Sequence, residues 1–321
     1  TRRHTSTIPR PERARAIVEV SPMSSQSPSG GDDWAASPYG PDDELGALNR
    51  LTPDHAARAA SLVKSGRSYS LAVAVDADSP AYGVRKYECH VHMPFNYATN
   101  SIFANELTAV DEFVMLWPGV GTHIDGLGHI GVAGRFYNGR TVSDIVDVGG
   151  LKAFSTHTLP PIVTRGVFVD VAAAHGVDML EGGYAIGPEE IEAALRRADL
   201  SLESGDVLLI RTGWIKLRER DPERYLASAP GISRASAEYL AECGVVLVGC
   251  DQGCTEADPA EVEGEFAPVH QINLAKHGVY QLQHITLEGL AADGVNEFMF
   301  VLGVPRLAGP SQMVVDPIAI A

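Results

Sequence analysis

Apolar positions along this chain recur with two different periods, and the switches between them define the expected elements. From Thr52 the pattern is helical: Ala56, Ala60 and Val63 share a face, Thr52 stands at the cap, Pro53 in the first turn, and Gly66 at the end. Residues 69–75 predict a strand, and the β-branched run 163–171 predicts a buried one. A second helix is expected over 188–198. Pro188 opens it, Glu189 and Glu190 lie beside its N-terminus, and Ile191, Leu195 and Ala198 line one face. A strand over 206–211 follows, then a helix over 233–243 capped by Ser233 and closed by Gly244. Residues 245–251 read as a buried strand ending on Asp251, and 298–304 as another before Pro305 and the Gly309-Pro310 turn. Strands and helices mix without strict alternation. The pattern predicts an α/β single domain with a mixed, partly barrel-like β-sheet flanked by helices. No Gly-x-Gly-x-x-Gly follows a strand, so a dinucleotide fold is disfavoured. Residues 1–32, rich in Arg, Ser, Pro and Gly, predict a loosely ordered arm ahead of a domain over 33–321.

Charge narrows the partners. The formal net charge of −16 argues against nucleic acid and anionic membrane surfaces, and makes a small neutral or cationic ligand easier to accommodate. No apolar run approaches the roughly 20 residues of a membrane span. The basic pair Arg2-Arg3 has no apolar core after it, so no secretory signal is expected and a cytoplasmic setting is. The four cysteines, Cys89, Cys243, Cys250 and Cys254, are expected as buried free thiols, because Cys250-x-x-x-Cys254 lacks a second pair at zinc-site spacing.

The chemistry concentrates between Trp117 and Gly131, where His123, Asp125 and His129 fall within seven residues among glycines. On an extended run His123 and Asp125 face the same side, close enough to share a cation. Gly126, Gly128 and Gly131 let the chain turn so that His129 returns over the same spot, although such a stretch also serves as a plain loop. An imidazole titrates near neutrality, so His129 is suited to moving a proton. Asp251 is a site candidate or a turn cap. Tyr137 and Asn138 line a pocket or form a simple Asn-Gly turn. His90 and His92 share a strand face, most simply as half-exposed residues. No Gly-x-Ser-x-Gly elbow or nucleophile-type cysteine context is present, which leaves activated water as the attacker.

Gly121-Thr-His-Ile-Asp125 followed by His129 resembles the signature of the cyclase family of metal-dependent hydrolases, His-x-Gly-Thr-His-x-Asp-x-x-x-His. That family includes bacterial kynurenine formamidases (arylformamidases) and isatin hydrolases. Segments 42–53, 135–139, 165–170, 205–214 and 296–301 also resemble its longer members, so the likeness runs from about residue 33 to the end. The resemblance implies a swivelling β/β/α fold and a dimer or tetramer. It implies hydrolysis of a carbon–nitrogen bond in a small cyclic or aryl amide, or a related lactone or ester. One divalent metal ion, zinc or manganese, would be held by His123, Asp125, His270 and Gln283, with His129 as general base and acid. Read from the residues alone, His270 equally fits an exposed helix start and Gln283 an edge strand. Two departures stand out: Gly119 occupies the leading histidine's position, and Gln283 replaces the acid of two-metal members, offering only a neutral oxygen. They motivate the alternatives of a metal-poor acid–base cyclase, dehydratase or isomerase using His129 and Asp125, or a ligand-binding homologue without turnover.

Overall fold

In chain order the principal strands are β1 (Ser68–Ser70), β2 (Tyr87–His92), β3 (Asp111–Leu116), β4 (His123–Asp125), β5 (Ile162–Asp170), β6 (Val207–Arg211), β7 (Leu247–Cys250), β8 (Tyr280–Gln283), β9 (Glu297–Leu302), β10 (Gln312–Val314) and β11 (Ile318–Ile320). The main helices are α1 (Pro53–Ala60), α2 (Pro188–Arg197) and α3 (Arg234–Glu242). They come from a computed structural model that describes residues 36–92 and 104–321, so the expected arm over 1–32 lies outside the described residues.

Nine strands form one curled, half-barrel sheet in the order β1-β11-β9-β5-β6-β7-β8-β4-β10. β5 to β8 run parallel and the outer strands antiparallel, which is the mixed arrangement expected. The parallel centre is apolar on both faces: Val207, Leu208, Leu209 and Ile210 are all buried. α2 contributes Ile191, Ala194 and Leu195 to the same core, and α3 is capped by Ser233, whose hydroxyl accepts the Ser236 N–H at 3.0 Å. Two expected elements are shorter than their patterns. α1 stops at Ala60 because tight bonds from Ser61 N–H to Arg58 O and from Leu62 N–H to Ala59 O turn the chain before Val63. The strand expected over 69–75 stops at Ser70; the chain then leaves the sheet and donates the Val73 N–H to Thr122 Oγ1 at 3.0 Å. That bond ties it to the residue preceding His123.

β2 and β3 make a separate antiparallel hairpin, on which His90 and His92 are exposed. Cys89 is exposed on the same hairpin, which corrects the expectation of four buried thiols; Cys250 is the fully buried one, and all four are free. Among the described residues no helix is long and apolar enough to cross a membrane.

Strand pairing collects the site. β4 is flanked by β8 and β10, with His123 opposite Gln283 and Val314, and Asp125 opposite Gln281 and Gln312. Directly opposed residues in antiparallel strands point to the same face. Alternation places His123 and Asp125 together, and register then adds Gln281, Gln283 and Gln312 from chain segments more than 150 residues away. β8 is an interior strand, so its glutamines are buried and not edge-strand surface residues.

Candidate active site

His123 and Asp125 are almost wholly enclosed, at 1% and 0% exposure. The His123 Nδ1–H donates to Gly121 O at 2.8 Å, which leaves its Nε2 lone pair 3.4 Å from Asp125 Oδ1. Asp125 Oδ1 accepts the Gln312 amide N–H at 2.6 Å, and Oδ2 lies 3.3 Å from His270 Nε2. His270 sits at the end of the short helix Pro268–His270 and is buried, not the exposed helix start that its sequence also allowed. Its Nδ1–H donates to the Glu256 carboxylate at 2.7 and 2.9 Å, and its backbone N–H to the same group at 3.2 Å. The Gln283 side-chain amide lies 2.7 Å from Nε2, and against a protonated ring nitrogen it is the amide oxygen that can accept there. Glu256, His270 and Asp125 therefore form a buried carboxylate–imidazole–carboxylate row.

The charges follow from that row. Burial alone would depress the basicity of His270, but the carboxylates of Glu256 and Asp125 on either side outweigh it and push its pKa up to about 10. Burial would raise Asp125, yet the surrounding imidazoles hold its carboxyl well below the usual range. At neutral pH the imidazole still charged among these is His270. His129 is lowered to about 4 by burial, opposed in part by Asp125, and His123 is lowered for the same first reason. The site thus holds one protonated imidazole between two acids and a neutral imidazole at His129.

His129 lies across a pocket of about 310 Å³ whose polar wall includes His270, Glu256, Gln283, Gln312 and Arg85. Its ring stands edge-on to His270 with centroids 6.3 Å apart. The turn that brings it back runs from Gly126, whose carbonyl accepts the His129 N–H at 3.0 Å. The glycines here supply space rather than unusual dihedrals, since Gly126, Gly128 and Gly131 are absent from the residues with positive φ. A Cβ at Gly126 would come within 3.0 Å of Ser311 O, and one at Gly128 within 2.5 Å of Leu151 Cδ1.

Does this donor set fit a divalent ion? His123 Nε2 and Asp125 Oδ2 are buried without a hydrogen-bond partner, as ligand atoms would be. The remaining positions argue the other way. At Gly119, an added Cβ would lie 2.6 Å from Arg85 Nη1, so a guanidinium fills the space of the leading ligand and brings positive charge with it. That charge also disfavours protonation of His123, His129 and His284. Amide groups already lie against Asp125 Oδ1 and His270 Nε2. Among the described residues no three His, Cys, Asp or Glu side chains are arranged to hold a metal ion. The four side chains that the resemblance nominates do meet, but the set as arranged does not fit the ion.

Three other candidates stand outside the pocket. Asp251 is fully buried and accepts from the Thr212 N–H (2.9 Å), the Thr212 hydroxyl (2.6 Å) and the Gly213 N–H (2.7 Å). It fastens the end of β6, where Gly213 needs its positive φ, and burial raises its pKa to about 6. Tyr137 donates its hydroxyl to Asp43 at 2.8 Å, while the Asn138 amide donates to Gly40 O at 2.9 Å and accepts the Ser37 N–H at 3.0 Å. Both anchor the chain around residues 37–43, and neither lines the pocket beside His129. Conversely, Glu256, Gln312 and Arg85 were not singled out. Glu256 carried a faint signal, as an acid shortly after a buried strand; Gln312 and Arg85 carried none that separates them from surface residues.

The family model described as "Putative cyclase" matches residues 69–257, more than half of the chain. A crystal structure described as a novel cyclase superposes with a TM-score of 0.79 at 26% identity, covering 88% of this chain and 98% of that one. An isatin hydrolase bound to the product analogue thioisatinate gives a TM-score of 0.61 at 15% identity, with 84% and 99% covered. A structure described as a potential metal-dependent hydrolase with cyclase activity gives 0.50 at 16% identity, with 79% and 98% covered. The last two likenesses, at such identity, speak to fold alone. No curated protein matches the chain.

Proposed function

This chain belongs to the cyclase family, and from that premise we propose that it hydrolyses a small cyclic or aryl amide, or a related lactone or ester, with His129 as the proton-transfer group. One observation carries the reading: a neutral imidazole, its pKa lowered to about 4, lines a pocket together with His270 and Gln283 and lies beside an ionised, fully buried Asp125. His129 takes a proton from attacking water, Asp125 stabilises the imidazolium formed, and the proton then passes to the departing nitrogen or oxygen. His270, fixed by Glu256, holds Asp125 charged and in place. Isatin hydrolase among the structural neighbours suggests the substrate scale, one or two fused rings, which suits a pocket of about 310 Å³. Screening aryl amides, cyclic amides and aryl lactones by mass spectrometry tests it: a product heavier by one water supports hydrolysis. A product of unchanged mass, or lighter by one water, would favour the acid–base cyclase, isomerase or dehydratase reading instead.

No step runs through zinc or manganese, because Arg85 stands where the leading ligand would be. Protein purified without chelator is expected to carry well under one equivalent of either metal by elemental analysis. The double variant Gly119→His with Arg85→Ala, which restores the ligand and removes the competing charge, is expected to rise towards one equivalent. Full occupancy in the wild type would reverse this assignment.

A homo-oligomer is supported by the apolar surface on the β2–β3 hairpin, where Phe113 is 63% and Val91 61% exposed. Light scattering on purified protein is expected to report a dimer or tetramer, and a monomer mass would end the idea. Four free cysteines support a reducing, cytoplasmic setting.

A further inference from the structure

Gly119 and Arg85 together change what the pocket recognises. The guanidinium reaches in from the segment before β2, with Nη1 at 2.6 Å and Cζ at 3.2 Å from the position a Cβ on Gly119 would take. It lines the same pocket as His129 and Gln312. Most acids nearby are already engaged. Glu256 bonds to His270 at 2.7 Å, Glu265 pairs with Arg234 at 2.9 Å, and Asp125 accepts from Gln312 at 2.6 Å. Among the described residues no carboxylate lies within ion-pair distance of Arg85; Asp258, on the pocket wall, is the one opposing acid there without a described partner. A guanidinium in that state is a fork of N–H donors whose natural complement is a planar oxyanion. The remaining wall is apolar and aromatic, with Tyr82, Ile130, Leu226 and Phe266 offering faces to a flat ring.

We propose that this pocket binds an aryl carboxylate, its ring against the apolar wall and its carboxylate on Arg85. The ligand is then a carboxylate-bearing ring compound, as substrate or as the acid that ring opening releases. The formal net charge of −16 pointed towards neutral or cationic ligands. That field is screened within about 8 Å in physiological salt, whereas Arg85 acts at contact distance. The inference deepens the hydrolase reading and rests on it for the identity of the pocket, but not for turnover.

Titration calorimetry of the full chain with benzoate and with its neutral isostere benzamide tests it. Wild type is expected to bind benzoate at least tenfold more tightly than benzamide, as a charge-assisted hydrogen-bonded pair predicts. Arg85→Ala should bring the two probes to within about twofold of each other. Arg85→Lys should keep part of the preference, and Asp258→Asn should strengthen benzoate binding. Should Arg85→Ala fail to fold by circular dichroism, Arg85→Gln, close in volume and uncharged, decides in its place. Equal binding of the probes by wild type, no binding of either at millimolar concentration, or a preference that survives loss of the guanidinium would overturn the proposal. A protein that prefers benzoate through Arg85 yet hydrolyses nothing keeps this inference and loses the hydrolase reading. An active hydrolase without the preference does the reverse.

Discussion

His129→Ala is expected to lower turnover of a responsive amide or lactone by about 10² to 10⁴, the usual range for losing a positioned acid–base group. The effect should fall on kcat with little change in KM, because the imidazole is needed for moving a proton and not for holding the ring. Folding should be spared: the residue lies on a pocket wall, and its backbone bond to Gly126 survives the substitution. The pH profile gives a second readout. With the His129 pKa at about 4, activity should hold down to about pH 5 and fall below it as the base becomes protonated. An acid limb near 6.5 would mean that the pocket opens to water more than its burial indicates. Undiminished turnover in the variant would remove His129 from the chemistry.

Glu256→Ala is expected to cost about 3–5 kcal/mol of folding stability by chemical denaturation, since it strands a buried imidazolium beside Asp125 with half of its compensation gone. Proton linkage sharpens the test. The folded protein holds the His270 proton up to about pH 10, whereas the unfolded chain releases it near 6.5. The stability that this proton contributes is therefore complete below about pH 6.5 and is lost as pH rises towards 10. The wild-type melting temperature should decline across that interval, and the milder Glu256→Gln, which removes the charge but keeps the shape, should flatten the decline. Parallel curves for the two proteins would show that Glu256 does not set the His270 proton.

Glu256 also marks where reading along the chain stops. The local signals proved dependable because they depend on neighbours in sequence. β-Branched and leucine-rich runs became the parallel strands β5, β6 and β7, and Pro188 and Ser233 opened α2 and α3 at the expected turns. Alternation placed His123 and Asp125 on one face before any fold was known. Two places left alternatives open along the chain. Asp251, a site candidate or a turn cap by its place at a strand end, accepts from Thr212 and Gly213 at that end. Tyr137 and Asn138, pocket residues or an Asn-Gly turn by sequence, hydrogen-bond the segment around residues 37–43.

By itself, the sequence determined the central parallel strands and the helices over 188–197 and 234–242, the mixed α/β class and the His-x-Asp pair with its returning histidine, because each rests on a period or turn only a few residues long. The tertiary structure alone decided which carboxylate holds the His270 proton in place, which amide bonds Asp125, and what occupies the space beside Gly119. Those outcomes depend on strand register and on side chains meeting across large sequence separations, 187 residues in the case of Gln312 and Asp125. No local period encodes such a meeting. Burial, which keeps His123 and His129 neutral, and the facing charges that override it at His270 and Asp125 are likewise properties of the assembled sheet and its coverings.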